Sequence, residues 1–203
     1  MHIKEKKERA LGVRLFLKPQ RCSSPKCALV KKPYPPGQFG KKKRRGLSEM
    51  GTQLLEKQRV KFSYSLKESQ LEKIFKTALR KPENTNELMV QLLERRLDNV
   101  VFRSNFAGSR PSAHQLITHG HILVNKKKVT VPSYTVAVGD TVSWREASKK
   151  NNAYKQAEVN LSKSEAPNWL EVDSGLMVSK IKSLPSRTEI PFDMSLLVEY
   201  YSK

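Results

Sequence analysis

Long apolar runs are missing from this 203-residue chain, and with them any segment of the roughly 20 residues that a membrane span requires. The opening MHIKEKKERA lacks the apolar stretch of a secretory signal, so a soluble, intracellular protein is expected. Cysteine is nearly absent. Cys22 and Cys27 are the only two, too few for the disulfide framework of a small secreted domain. Acidic residues are scarce as well: 19 Asp+Glu stand against 39 Lys+Arg, a formal net charge of +20. Such an excess calls for a polyanionic partner. The charge is spread over loops and several helices rather than gathered on one amphipathic helix, which favours nucleic acid over an anionic membrane. The chain also has no phosphate-binding glycine loop and no nucleophile with a plausible base. Neither an enzyme nor a cofactor is expected.

Metal is weighed at two places. Cys22 and Cys27, spaced C-x4-C, supply half of the four ligands that a structural zinc takes. His2, Glu5 and Glu8 have no spacing that recommends them as the other half. His119 and His121 flank Gly120, but no further Cys, His or paired carboxylate lies at metal-like spacing. The expected metal site is none, with Cys22 and Cys27 a weak half-site.

Up to Arg45 the chain carries fifteen basic and two acidic residues together with five prolines, and it ends in the run KKKRR. Proline and charge resist collapse, so a basic arm over residues 1–45 is expected. Within it PPGQFG, residues 35–40, offers glycines that let backbone approach a phosphate. A helix is expected from Thr52, its apolar face formed by Leu54, Leu55, Gln58 and Phe62. A second is expected after the capping-box pattern of Ser65 and Glu68, with Leu71, Ile74, Phe75, Ala78 and Leu79 on one stripe. A third carries Leu88, Leu92, Leu93, Leu97, Val100 and Val101. A short helix then starts at Ser109 as N-cap and ends at Gly120, followed by strands ILV, VTV and TVSW joined by turns. Trp169, Leu170, Val172, Leu176 and Met177 suggest a hairpin, and SLLVEYYSK reads as a strand. The fold class is α+β.

The strings LLERRLDNVVFR, FAGSRPSAHQLITHGHILVN and VPSYTVAVGDTV resemble the RNA-binding module named after the fourth protein of the small ribosomal subunit. PYPPGQFG, LSEMGTQLLEKQRVKFSYSLKESQLEKIF, NWLEVDSGLMV and SLLVEYYSK extend the resemblance, in order, to the ribosomal S-four family of bacteria or organelles. It implies a helical domain over residues 46–93 completed by 159–203, with an inserted RNA-binding module over 94–158. It further implies a structural constituent of the small subunit that binds its ribosomal RNA directly, nucleates assembly of the subunit body and contributes to translational accuracy. The implied partners are small-subunit ribosomal RNA, the neighbouring small-subunit protein number five, and messenger RNA near Lys42 and Arg45. The implied location is the cytoplasm, on the ribosome, or an organellar ribosome.

Two places depart from the family pattern. Members with a zinc site have a further C-x-x-C where this chain has Glu5 and Glu8. The family hairpin reads V-N-G, whereas here it is Val124, Asn125, Lys126, so the turn is expected either to distort slightly or to shift the positive φ onto Asn125, which tolerates it.

Folded RNA is read largely through phosphates, 2′-hydroxyls and shape. One backbone path is expected along Arg96, Arg103, Ser109, Arg110, His114, Gln115, His119, Lys126, Lys127 and Lys128. Others are expected along Lys41, Lys43, Arg44, Arg59 and Lys61. His119 is expected to stack on or hydrogen-bond to RNA, and His121 to support the turn. The rival readings are an RNA-modifying enzyme, for which the chain lacks room, and a free-standing translational repressor or RNA chaperone using the same surface.

Overall fold

The computed structural model describes residues 3–42, 46–161, 166–186 and 190–202, with the side chains of residues 3, 4 and 20 left undescribed. The chain forms two compact units, one of Met1–Asn86 with Pro191–Lys203 and the other of Glu87–Ile190. Among the described residues no helix is long and apolar enough to cross a membrane.

The first unit is helical: α1 (Ile3–Leu11), α2 (Pro19–Cys22), α3 (Ala28–Lys31), α4 (Glu49–Ser63) and α5 (Glu68–Leu79), with α10 (Met194–Ser202) returning from the far end of the chain. The expected arm is therefore folded over much of its length. Leu11, Leu15 and Leu17 form a buried cluster with Leu55, Phe62 and Phe192, and these few apolar side chains overcome the charge around them. The α4 face also differs from the sequence reading. Leu54 is exposed, while Gln53, Glu56, Lys57, Val60 and Ser63 are buried. Polar members of this face find partners outside their own helix, such as Glu199 for the Gln53 amide nitrogen and Glu68 for Lys57, which hydrophobic periodicity does not register.

The capping box at Ser65 does not form. Ser65 turns the chain at φ 55°, α5 starts after Lys67, and the Gln70 side chain accepts the Lys67 backbone N–H at 2.9 Å. Glu68 is thereby released for the ion pairs below. The ending read as a strand is α10 instead. Asp193 accepts the Ser195 N–H at 2.9 Å at its start. Tyr201 stacks on Phe75 with ring centroids 5.1 Å apart, so packing overrides the strand preference of Val198, Tyr200 and Tyr201.

In the second unit, helices α6 (Thr85–Glu94, beginning at the unit boundary), α7 (Leu97–Arg103) and α8 (Arg110–Thr118) accompany a five-stranded antiparallel sheet. The strands are β1 (Ile122–Val124), β2 (Lys127–Lys128), β3 (Thr141–Trp144), β4 (Leu170–Asp173) and β5 (Val178–Ile181), ordered β2-β1-β3-β5-β4. The third expected helix is two helices. Arg96 leaves helical geometry to bridge Thr135, and Leu97 N–H donates to Tyr134 O. The expected VTV strand, residues 129–131, does not form; the return strand is β2, the two lysines just before it, paired with Leu123 and Val124.

Helix α9 (Asn152–Leu161) precedes the β4–β5 hairpin. That hairpin continues the module's sheet through β3–β5 pairing, with Val142 opposite Ser179. Residues 159–190 were expected to complete the helical domain; they fall instead in the second unit, because Trp169, Leu170, Met177 and Ile181 share one core with Ile117, Ile122, Val142 and Trp144.

Candidate RNA-binding surface

Helix α8 starts at Ser109, whose hydroxyl accepts the Ser112 N–H at 3.3 Å, and Pro111 occupies the first turn, where no N–H is needed. Ser109 is itself buried, so its side chain is committed to the cap. Arg110 follows at the first helical position. Its Nε donates to Asn99 Oδ1 at 2.8 Å and its guanidinium lies 4.5 Å from the Phe102 ring centroid. A helix N-terminus carries partial positive charge and unpaired N–H groups, so Arg110 stands where an anion is favoured.

Asn99 is fully buried and donates to both the backbone O and the Oε2 of Glu94, at 2.9 and 2.8 Å. Arg103 sends Nε and Nη2 to the two carboxylate oxygens of Glu94, each 3.0 Å away. Arg96 does likewise to Asp98, at 3.0 and 2.6 Å, and is buried. Both arginines thus turn their forks inward on carboxylates. His114 lies 3.9 Å from Asp98 on the exposed side of α8, and Gln115 is exposed one residue on.

The helix ends at Gly120, φ +74°, with Gly120 N–H donating to Ile117 O and His121 N–H to Leu116 O, the double bond pattern of a glycine C-cap. A Cβ at Gly120 would run into the Lys128 side chain, which lies across it. His119 is exposed beside this cap, its ring 6.1 Å from that of His121. His121 Nδ1 is 2.9 Å from Ser148 Oγ. Burial lowers the imidazole's proton affinity, and His119 and Arg145 nearby add to the effect.

Asn125 and Lys126 both take positive φ, 48° and 64°. The positive φ is thus not shifted onto Asn125 in place of Lys126 but taken by both, in the two-residue turn geometry that suits twisted hairpins. Asn125 secures it, donating to Asp140 Oδ1 at 2.7 Å and accepting from Thr141 N–H at 2.9 Å. Lys126, Lys127 and Lys128 are all exposed on this hairpin. The second unit therefore brings Arg110, His114, Gln115 and His119 onto α8 and its cap, and the Lys128 side chain reaches that cap at Gly120.

The family model of the ribosomal protein S4/S9 N-terminal domain matches residues 1–94, and that of the S4 domain matches residues 95–142. A small ribosomal subunit protein uS4 from Caldicellulosiruptor saccharolyticus is 45% identical over 194 residues, covering 95% of this chain and 93% of its own. That from Magnetococcus marinus is 44% identical over the same spans, and a uS4A from Alkaliphilus oremlandii 45%. The chain belongs to the uS4 family. Its S4-domain match ends inside β3, so β4 and β5 lie outside that matched segment while sharing its sheet.

In the helical unit, the chain uses part of its basic charge internally. Arg59 pairs with Glu56 and donates to Leu11 O. Lys61 Nζ is 2.8 Å from Glu68 Oε2, and Lys57, buried, is 2.8 Å from Glu68 Oε1 and 4.2 Å from the Tyr200 ring centroid. Tyr201 donates to Glu68 Oε1 at 2.8 Å. Burial alone would raise the Glu68 carboxyl; hydrogen bonds from Lys57, Lys61 and Tyr201 outweigh it and bring the group down to about 2. Lys41 lies over Tyr34 and Lys42 over Phe39, both lysines exposed. Lys43, Arg44 and Arg45 lie outside the described residues.

Cys22 and Cys27 are buried thiols. Cys22 Sγ lies 3.6 Å from Glu8 Oε1, and that same oxygen accepts the backbone N–H groups of Leu15 and Leu17. Burial first, and then Glu8, push the Cys22 thiol up to about 11. Among the described residues no group of three or more His, Cys, Asp or Glu is placed to share a metal ion.

Sequence reading missed Asn99, Phe102 and Glu94, which hold Arg110 and Arg103 in place. The available signal was an asparagine set among Leu97, Val100 and Val101 in a segment with a buried apolar face.

Proposed function

We propose that this chain is a structural, non-enzymatic constituent of the small ribosomal subunit that binds its ribosomal RNA directly. The observation that carries this reading is the 45% identity with a small ribosomal subunit protein uS4 over a span covering 95% of the chain, supported by an exposed basic surface on an independently cored module. RNA contact is assigned to Arg110, His114, Gln115, His119, Lys126, Lys127 and Lys128, with Lys41 and Lys43, Arg44 and the messenger candidates Lys42 and Arg45 as a second tract. Arg96, Arg103, Ser109, Arg59 and Lys61 act chiefly by fixing the protein surface, since each has a polar atom held within the fold, by Asp98, Glu94, Ser112, Glu56 and Glu68 respectively.

By neutralising phosphates from several RNA helices at once, such a protein stabilises a folded junction early in assembly. Contact with small-subunit protein number five, influence on decoding accuracy and proximity to incoming messenger belong to the same proposal. The deciding experiment is sedimentation of a tagged copy expressed in cells. Stoichiometric comigration with the small subunit is the expected result; accumulation only in the ribosome-free fraction would support the repressor or chaperone reading instead.

A further inference from the structure

In the first unit a cavity of about 590 Å³ is lined by Glu5, Arg9, Arg21, Lys26, Lys31 and Lys32, a size within the usual range for small-ligand sites. None of these residues belongs to the RNA tracts assigned above. Its wall is built. Arg9 is buried and its Nε is shared between the carbonyls of Lys32 and Tyr34, each at 3.0 Å, while its guanidinium lies over the Tyr34 ring. Arg9 thus ties the segment after α3 to α1. Lys26, Lys31 and Lys32 are exposed and make no ion pair among the described residues.

One lining residue is an acid. Glu5 is 6% exposed, and although Arg21 Nη1 lies 2.8 Å from its Oε1, no hydrogen-bond donor among the described residues is aligned on that oxygen. A pocket for phosphate alone gains nothing from a buried carboxylate, which repels the anion. A ligand carrying both a phosphate and N–H donors uses both features.

We propose that this pocket takes one unstacked nucleotide of single-stranded RNA, its phosphate among Arg21, Lys26, Lys31 and Lys32 and the N–H groups of its base edge on Glu5. Unstacked bases are recognised through their Watson–Crick edges. Guanine is the base favoured, because it offers two parallel N–H donors to one carboxylate. The inference rests on the chain being an RNA-binding protein and adds a base-selective site to it.

The test uses the full chain and fluorescein-labelled pentanucleotides, UUGUU, UUUUU and a version with an abasic centre, followed by fluorescence anisotropy at one fixed salt concentration. UUGUU is expected to bind at least about tenfold more tightly than the other two, the scale of one hydrogen bond to a charged group. Glu5→Gln is expected to erase that preference. Lys31→Gln with Lys32→Gln, both on the surface, is expected to weaken all three oligonucleotides while keeping it. Equal affinity of the unaltered protein for UUGUU and the abasic oligonucleotide would overturn the proposal, as would a guanine preference that survives Glu5→Gln with circular dichroism unchanged. Cosedimentation with the small subunit reads the ribosomal assignment separately, so either can fail without the other.

Discussion

Arg110 Nε donates to Asn99 Oδ1 across 2.8 Å, and the amide of the same Asn99 holds Glu94. The arginine that stands at the start of α8 is therefore aimed by a fully buried side chain one helix earlier, and recognition at the surface depends on a polar contact within the core.

This relationship predicts coupling. Arg110→Gln should weaken binding to the small-subunit junction RNA by about 1–3 kcal/mol, the loss expected for a charge-assisted contact. Asn99→Ala should cost part of the same affinity while also lowering the melting temperature, because Glu94 loses a donor. The double variant should bind hardly worse than Arg110→Gln alone, since residues acting as a unit are not additive. Additive losses in filter binding at fixed salt would separate the two residues. Glu158→Gln, on the exposed side of α9, serves as a control and should bind as the unaltered chain does.

Lys126 predicts opposite effects on stability and binding. At φ 64° a lysine is strained, so Lys126→Gly should raise stability by up to about 1 kcal/mol. It also removes one cation from the hairpin. The slope of log K against log salt should fall by about 0.9 if Lys126 neutralises one phosphate. A variant that is more stable in denaturant melts but has an unchanged salt slope would show that this turn does not touch RNA.

The Glu68 cluster predicts an acid-sensitive element. Its carboxyl lies at about 2 in the folded chain, against about 4.3 in an unfolded one. A depressed folded value gives stability that is complete above the unfolded value and is lost as pH falls from there toward 2. Glu68→Gln should therefore melt below the unaltered protein at pH 7, with the gap closing between pH 4.5 and 2. Thermal melts across that range check it; a gap independent of pH would assign the effect to packing.

The two cysteines predict a metal-free fold. Elemental analysis of purified protein should find no stoichiometric zinc. Cys22, pushed up to about 11 by burial and Glu8, should react with a thiol reagent at pH 8 far more slowly than free cysteine, and at the ordinary rate once unfolded in urea. Rapid reaction in the native state would mean that the loop around Cys22 opens.

The α8 helix and the β1–β2 turn were legible because their signals are local: a serine cap, a proline in the first turn, a glycine at the end, an asparagine at a reversal. The errors arise where a residue's partner is distant in sequence. Lys57 reads as solvent-facing charge until Glu68 and Tyr200 are placed beside it, and SLLVEYYSK reads as a strand until Phe75 meets Tyr201. Arg96 and Arg103 show a different limit: their carboxylate partners Asp98 and Glu94 are close in sequence, yet composition alone does not show the forks turned onto them. The β4–β5 hairpin itself was visible, but the sheet it joins was not, since strand pairing across a helix such as α9 leaves no periodic trace.

The helical unit is assembled from two stretches of chain, 1–86 and 191–203, and this imposes an order on synthesis. Lys57, Lys61 and Glu68 are made early, yet Tyr201 is added 133 residues after Glu68. At roughly 5–20 residues per second, the early helices wait on the order of ten seconds for α10 to cover Gln53 and Phe75. The inserted unit is contiguous, so its sheet is able to close before the unit that encloses it in sequence. A newly made chain would thus present a finished RNA-binding module while its first helices were still incomplete, and RNA capture could begin before the protein's own folding ends.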